Sequence, residues 1–307
     1  MEIMINVFLL VLGFAMLIKG AGWFVDGASG IARKLGIPQL VVGLTIVAMG
    51  TSAPEAAVSI SAAMKGSADV AIGNVLGSNI LNILIILGVT SVIVSVAVQK
   101  STLWTEIPFM IVMTTMLVGM GYDGTVSFMD SIALLAMFVV YFVYLFFLAK
   151  NGPKEDDTPV ITPVWKLLLS TMIGVVIIVL GSNVTVDAAT KIATALGVSE
   201  RFIGLTIVAL GTSLPELVTS VTAAKKGNAD IAIGNVVGSN IFNILFVIGI
   251  TATITPVPYT VNFITDGYIA IAASVLLLIA SFKKKLTRPW GVVMLVSYAA
   301  YFVYLLG

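Results

Sequence analysis

Long apolar runs broken by short polar punctuation organise this chain. Runs long enough to cross about 30 Å of hydrocarbon fall near 3–25, 38–64, 69–97, 103–121, 127–149, 164–186, 200–224, 230–255, 262–282 and 288–306. That is ten, five in each half, and it predicts an all-α polytopic membrane protein with ten transmembrane helices. The most polar stretch, from Lys150 to Pro159, lies at the middle and reads as a solvated linker. We therefore divide the chain into a first half, 1–150, a linker, 151–163, and a second half, 164–307. The opening MEIMINVFLLVLGF is acidic rather than basic and has no A-x-A site, so it is read as a first membrane helix and not as a removable signal.

The apolar pattern is written twice. Residues 43–90 and 204–251 align at a constant offset of 161 with 32 of 48 positions identical. GLTIVAMGTSAPE answers to GLTIVALGTSLPE, and AIGNVLGSNILNIL to AIGNVVGSNIFNIL. Asp26 and Asp187 match at the same offset, and Tyr141-Phe-Val-Tyr144 echoes Tyr301-Phe-Val-Tyr304. An odd number of spans per half makes the second copy enter the membrane from the other side, so the two five-helix repeats are inverted. With the N-terminus outside, the inside loops hold twelve Lys and Arg and the outside loops three, Lys65, Lys191 and Arg201. The excess of positive charge on inner loops then predicts a multi-pass plasma-membrane protein with both termini outside and a cytoplasmic linker. Trp23, Trp104, Trp165 and Trp290 read as interfacial anchors.

Each repeat puts one acid, Glu55 or Glu216, into an apolar stretch, where an unpaired charge is costly and marks a functional site. In Gly50-Thr51-Ser52-Ala53-Pro54-Glu55, the proline removes a backbone donor and frees the carbonyl at Gly50, with those of Ala48 and Met49 also candidates for losing partners. Bare carbonyls at membrane depth are tolerated where they line a cavity. Thr51 and Glu55 share a face if the helix continues, as do Ser78 and Asn82. A second set runs through Gly211-Thr212-Ser213-Leu214-Pro215-Glu216 and from Gly234 to Asn243. Pairing the copies gathers carboxylates, hydroxyls, amides and carbonyls at broken helices near the midplane. A formal charge of about −2 there is neutralised by one Ca²⁺ or two Na⁺, hard cations that such oxygens suit. Competition for one pair of carboxylates, with an empty site costly to carry across, favours antiport.

Composition narrows the chemistry further. Charged residues are 10% of the chain, with no Cys and no His. Zinc-thiolate and haem-histidine sites, Cys nucleophiles and Ser-His-Asp triads are excluded, and no HExxH or GxSxG motif occurs, so the chain is not read as an enzyme. No basic tract points to nucleic acid. Plainer readings are kept for other residues: helix packing for Gly73 and Gly77, a salt link or cap for Asp26 and Asp187, and N-terminal capping for Asp69 and Asp230. Lys19 is the one lysine deep in an apolar segment, and its counterpart is Leu180.

On GTSAPE at 50–55, GTSLPE at 211–216, GNVLGSNILN at 73–82 and GNVVGSNIFN at 234–243, the chain resembles the Ca²⁺/cation antiporter superfamily, and within it the prokaryotic Na⁺/Ca²⁺ exchanger branch. The resemblance implies secondary-active antiport by alternating access, several Na⁺ against one Ca²⁺, with no cofactor beyond the transported ions, the lipid bilayer as environment and a monomeric functional unit. It implies ion ligands at Glu55, Glu216, Thr51, Ser52, Ser78, Asn82, Thr212, Ser213, Ser239 and Asn243, with backbone carbonyls of Ala48 and Ala209. The first helices of the two halves would form a sliding gate. Some relatives carry Asp at the position of Asn243, which is associated with K⁺ co-transport, so Asn there implies K⁺ independence. H⁺/Ca²⁺ exchange, or exchange of another divalent cation, is the alternative, lowered because the second motif lacks an acid after its Gly-Asn. A cation channel with a carboxylate filter is the reading from another class.

Overall fold

In the computed structural model, residues 2–151, 161–197 and 209–306 are described. The elements follow the apolar runs. In the first half these are α1 (Glu2–Leu35), α2 (Gln39–Thr51), α3 (Ala53–Met64), α4 (Asp69–Ile93), α5 (Thr102–Asp123) and α6 (Phe128–Asn151). In the second half they are α7 (Val164–Ala195), α8 (Ala209–Thr212), α9 (Leu214–Lys225), α10 (Ala229–Ile254), α11 (Val261–Ser281) and α12 (Arg288–Leu306). Seven of these helices are long and apolar enough to cross a membrane, and the bent pair α2–α3 makes an eighth span. The other two expected spans correspond to α8–α9, whose expected first part lies outside the described residues, and to α12. The linker from 152 to 160 lies outside them as well.

The halves run in opposite directions. Gly13 of α1 packs on Gly181 and Thr185 of α7, while Gly20 packs on Gly174 and Ile178, so the two helices are antiparallel. The same offset of 161 that relates the motifs carries Gly13 onto Gly174 and Gly20 onto Gly181. A Cβ added at Gly20 would stand 3.0 Å from the Gly174 carbonyl oxygen, which is why the backbones approach this closely only through glycine.

Four two-residue strands tie the loops together. β1 (Val96–Ala97) pairs antiparallel with β4 (Lys285–Leu286), and β2 (Thr125–Val126) pairs with β3 (Val257–Pro258). Each pair joins a loop of one half to a loop of the other. One face of the molecule therefore gathers Lys283, Lys284 and Lys285 with the 94–101 loop. Gln99 Nε2 donates to Asp230 Oδ2 at 2.7 Å, which brings the start of α10 to the same face. Lys34 Nζ donates to the Thr162 carbonyl at 2.7 Å, joining the end of α1 to the approach to α7.

Burial sorts the helices into layers. In α10, 94% of the apolar window is buried, against 17% in α6. α10 is therefore the central post, α4 beside it is next most enclosed, and α6 is outermost. α1 and α7 outrun their expected ends near 25 and 186, because the charge at Asp26 and Asp187 ends the apolar run but not the helix. Ala28 and Ala32 beyond Asp26 are fully buried.

Candidate functional site

The helix breaks sit one residue away from where proline alone would put them. α2 and α3 bend by 49°, and the hinge is Ser52, at φ −83° and ψ 7°. Ser213 repeats it at φ −91° and ψ 3°. Both lie in the sparsely populated bridge region. Pro54 and Pro215 cannot donate to the preceding turn, yet they fit the first turn of a new helix. Glu55 and Glu216 thereby fall in the first turns of α3 and α9, where unpaired N–H groups and the helix dipole favour an anion.

The helix does not continue through Ser52, so the condition on which Thr51 and Glu55 would share one helical face is not met. Ser52 Oγ instead donates to Glu216 Oε1 at 2.8 Å, a hydroxyl of one repeat on the carboxylate of the other. Thr51 Oγ1 lies 3.1 Å from the Val47 carbonyl and 3.0 Å from Asn235 Oδ1. The Ala48 carbonyl is not bare: it accepts from Ser52 N–H at 2.9 Å and from Ser239 Oγ at 3.4 Å. Pro215 frees the Gly211 carbonyl as expected, and Ser182 Oγ takes it at 2.6 Å. The equivalent of Ser182 in the first half is Ala21, which has no hydroxyl to offer Gly50. Ala209 opens α8 and Thr212 closes it, half-buried.

Four asparagines bridge the repeats. Asn79 Nδ2 donates to the Asn240 carbonyl at 3.2 Å, and Asn240 Nδ2 returns the bond to Asn79 at 3.1 Å. Asn82 Nδ2 reaches Asn240 Oδ1 at 2.9 Å, and Asn243 Nδ2 reaches Asn79 Oδ1 at 3.2 Å. Asn82 and Asn243 also open two π-helical turns, Asn82–Leu87 and Asn243–Ile248. Such turns recur at functional sites. With their amide N–H groups committed across the interface, both side chains turn an oxygen inward.

The decisive feature is what remains unpartnered. Glu55 Oε1 and Oε2, Glu216 Oε2, Asn82 Oδ1, Asn243 Oδ1 and Ser213 Oγ are buried with no hydrogen-bond partner among the described residues. Glu55 and Glu216 are each 1% exposed and close enough to feel each other's charge. No Lys or Arg is among the buried side chains of the described residues. Buried polar atoms are nearly always satisfied, and five of these six are acceptors only. A cation is the kind of partner such a set of acceptors would satisfy. No cluster of three acidic residues occurs among the described residues, so neutral oxygens must complete the coordination of any such cation. Ser78 and Ser239 are buried, at 4% and 0% exposure.

Two further asparagines, not anticipated as site residues, hold the acidic helices in place. Asn74 Nδ2 donates to the Glu55 carbonyl at 3.2 Å and to Ser59 Oγ at 3.0 Å. Asn235 Nδ2 does the same to Glu216 at 3.4 Å and Ser220 at 2.9 Å. Their duplication in GNVLGSN and GNVVGSN was the available signal. Of the residues expected to be peripheral, Asp26 forms a salt bridge with Lys226 at 2.7 Å. Asp69 and Asp230 are first-turn acids rather than caps, the cap positions being Ser67 and Asn228.

Comparison with known proteins identifies the family and the fold. The family model described as sodium/calcium exchanger protein matches residues 5–147 and 166–307. The putative antiporter CaxA of Alkalimonas amylolytica is 39% identical, over 96% of this chain and 97% of its own. The sodium/calcium exchanger MaX1 of Methanosarcina acetivorans is 31% identical, over 99% of both. Among solved structures, the sodium-calcium exchanger NCX_Mj soaked with zero Na⁺ and Ca²⁺ superposes with a TM-score of 0.86 at 32% identity, covering 99% of each chain. With duplicated apolar halves, an inverted fold and a matching family model over nearly its whole length, the chain belongs to the sodium/calcium exchanger protein family, within the Ca²⁺/cation antiporter superfamily.

Proposed function

We propose that this protein exchanges Na⁺ for Ca²⁺ across the plasma membrane by alternating access, without K⁺, at a shared site built on Glu55 and Glu216. The observation that carries the reading is the set of unpartnered buried oxygens around two carboxylates with no buried basic side chain among the described residues. One Ca²⁺ or two Na⁺ would neutralise the pair, and the two loads then compete. Thr51, Ser52, Ser78 and Asn82, with Thr212, Ser213, Ser239 and Asn243, supply neutral oxygens. The Ala48 and Ala209 carbonyls are candidates for outer sodium positions. An empty site would leave two uncompensated charges in a dry interior, which disfavours crossing without a load. The antiparallel α1–α7 pair is the candidate moving element, its glycine contacts keeping the two helices together as one body. The basic face carrying Lys283, Lys284 and Lys285 is assigned to the cytoplasm, which puts both termini outside.

The test is ⁴⁵Ca²⁺ uptake into proteoliposomes loaded with Na⁺ or with choline at symmetric pH. Uptake that requires internal Na⁺ and is indifferent to K⁺ is expected. Equal uptake with choline overturns Na⁺ coupling.

A further inference from the structure

A cleft of about 730 Å³ opens on the flank of the molecule between α1, α9 and the end of α4. Its walls are of two kinds. Ile18, Val89, Leu217, Val218 and Val221 make an apolar surface, while Lys19, Lys225 and Lys226 bring three ammonium groups against one carboxylate, Asp26. Lys226 is committed, donating to Asp26 Oδ1 at 2.7 Å and to the Gly22 carbonyl at 3.0 Å. Lys19 and Lys225 form no ion pair among the described residues. The cleft is thus left with a surplus of about two positive charges beside an apolar wall.

Lys19 is the informative residue. It lies two helical turns from Asp26, about 10 Å along α1, inside the segment Ile3–Leu35 that is long and apolar enough to span. A lysine in such a segment needs an anion or a route to the interface. Its counterpart by the internal repeat is Leu180, so the ion site, which uses matched positions, gives no reason for it. Trp23, 46% exposed at the cleft mouth, is the side chain that marks headgroup level. Lys225 and Lys226 close α9 on the basic face that also holds Asp230, Gln99 and Lys285.

The geometry points to a site for one anionic phospholipid of the leaflet on the basic face, its phosphate held by Lys19 and Lys225 and an acyl chain laid along Leu217, Val218 and Val221. Charge complementarity selects the anionic headgroup, and the apolar wall selects a lipid over free phosphate. The inference does not depend on which ions are exchanged.

Lipid retention tests it directly. Protein reconstituted in phosphatidylcholine vesicles with phosphatidylglycerol is extracted, and bound lipid is read by native mass spectrometry. One tightly held phosphatidylglycerol is expected on the unaltered protein. Lys19→Leu, which installs the residue of the other repeat, should lower its retention about fivefold, and adding Lys225→Gln should lower it again by a similar factor. Lys19→Arg should keep it, which separates loss of charge from loss of fold. Lys65→Gln, on the opposite face, should leave it unchanged. Equal retention by Lys19→Leu, equal retention of phosphatidylcholine, or displacement of the lipid by inorganic phosphate would each overturn the proposal.

Discussion

Ser52 and Ser213 are the residues on which the site turns, and neither is the most conspicuous letter of its motif. Proline and glutamate were legible as breaker and charge. That the serine between them would be the hinge, and would reach the carboxylate of the other repeat, was not, because it depends on how the two halves meet. Asn79 and Asn240 were overlooked for the same reason: their bonds are to each other across the interface. Outer partners of a metal ligand are typically worth about 10–100-fold in affinity. Asn235→Ala, which releases the Glu216 carbonyl and Ser220, should weaken Ca²⁺ binding within that range, measured by isothermal titration. Glu55→Gln or Glu216→Gln removes half the formal charge and should exceed it, abolishing measurable ⁴⁵Ca²⁺ exchange while thermal unfolding in detergent stays cooperative. Retained exchange in both variants would refute the site. Ser52→Ala deletes a hydrogen bond to a charged group, worth about 1.5–3 kcal/mol. It should raise the Ca²⁺ dissociation constant by about tenfold or more, since about 1.4 kcal/mol is tenfold.

At the level of elements, apolar periodicity located the helices but not their fine form. The π-helical turns after Asn82 and Asn243 carry no local signature, since Ile, Leu, Phe and Val there fit an ordinary helix equally well. The glycines of the second motif were read as helix packing, and that holds for Gly234 and Gly238 but not for Gly77, where an added Cβ would meet nothing within 4 Å. A Cβ at Gly238 would stand 2.7 Å from the Leu44 carbonyl oxygen and 2.8 Å from Ala48 Cβ. Gly238→Ala should therefore push α2 off the central helix. A cost of about 1–3 kcal/mol is expected for such overpacking, read as a lowered unfolding temperature in detergent, with a larger loss of exchange than of stability because Ala48 borders the site. Away from the site, buried Glu106 accepts from Tyr144 between α5 and α6, and Asp266 accepts from Tyr301 at 3.0 Å between α11 and α12. The acids hold matching places at an offset of 160, but the tyrosines do not: Tyr301 answers to Tyr141 and Tyr144 to Tyr304, so each half pins its outer helices with a different tyrosine. Tyr144→Phe strips a hydrogen-bond donor from a buried acid and should destabilise by about 1–3 kcal/mol with little effect on Ca²⁺ affinity.

For the whole molecule, inversion could be read from the odd span count, and the antiparallel glycine contacts of α1 with α7 and the crossed strand pairs agree with it. Sidedness rests on charge alone and is open to direct test. The chain has no cysteine, so Lys284→Cys should react with a membrane-impermeant maleimide from the cytoplasmic side and Lys65→Cys from the other. Labelling from the opposite sides would invert the assignment. What neither motif nor charge count foretold is that two matching halves are arranged unequally. Lys226 pairs with Asp26, yet the residues in the same places one repeat away, Lys65 and Asp187, form no such pair among the described residues. Near-duplicate halves in a lopsided arrangement predict a second arrangement with the roles of the repeats exchanged, in which Lys65 would meet Asp187. The landscape would then be a double well. A difference in how Na⁺ and Ca²⁺ fit the two wells would bias their populations, while the ion gradients set the direction of net flow.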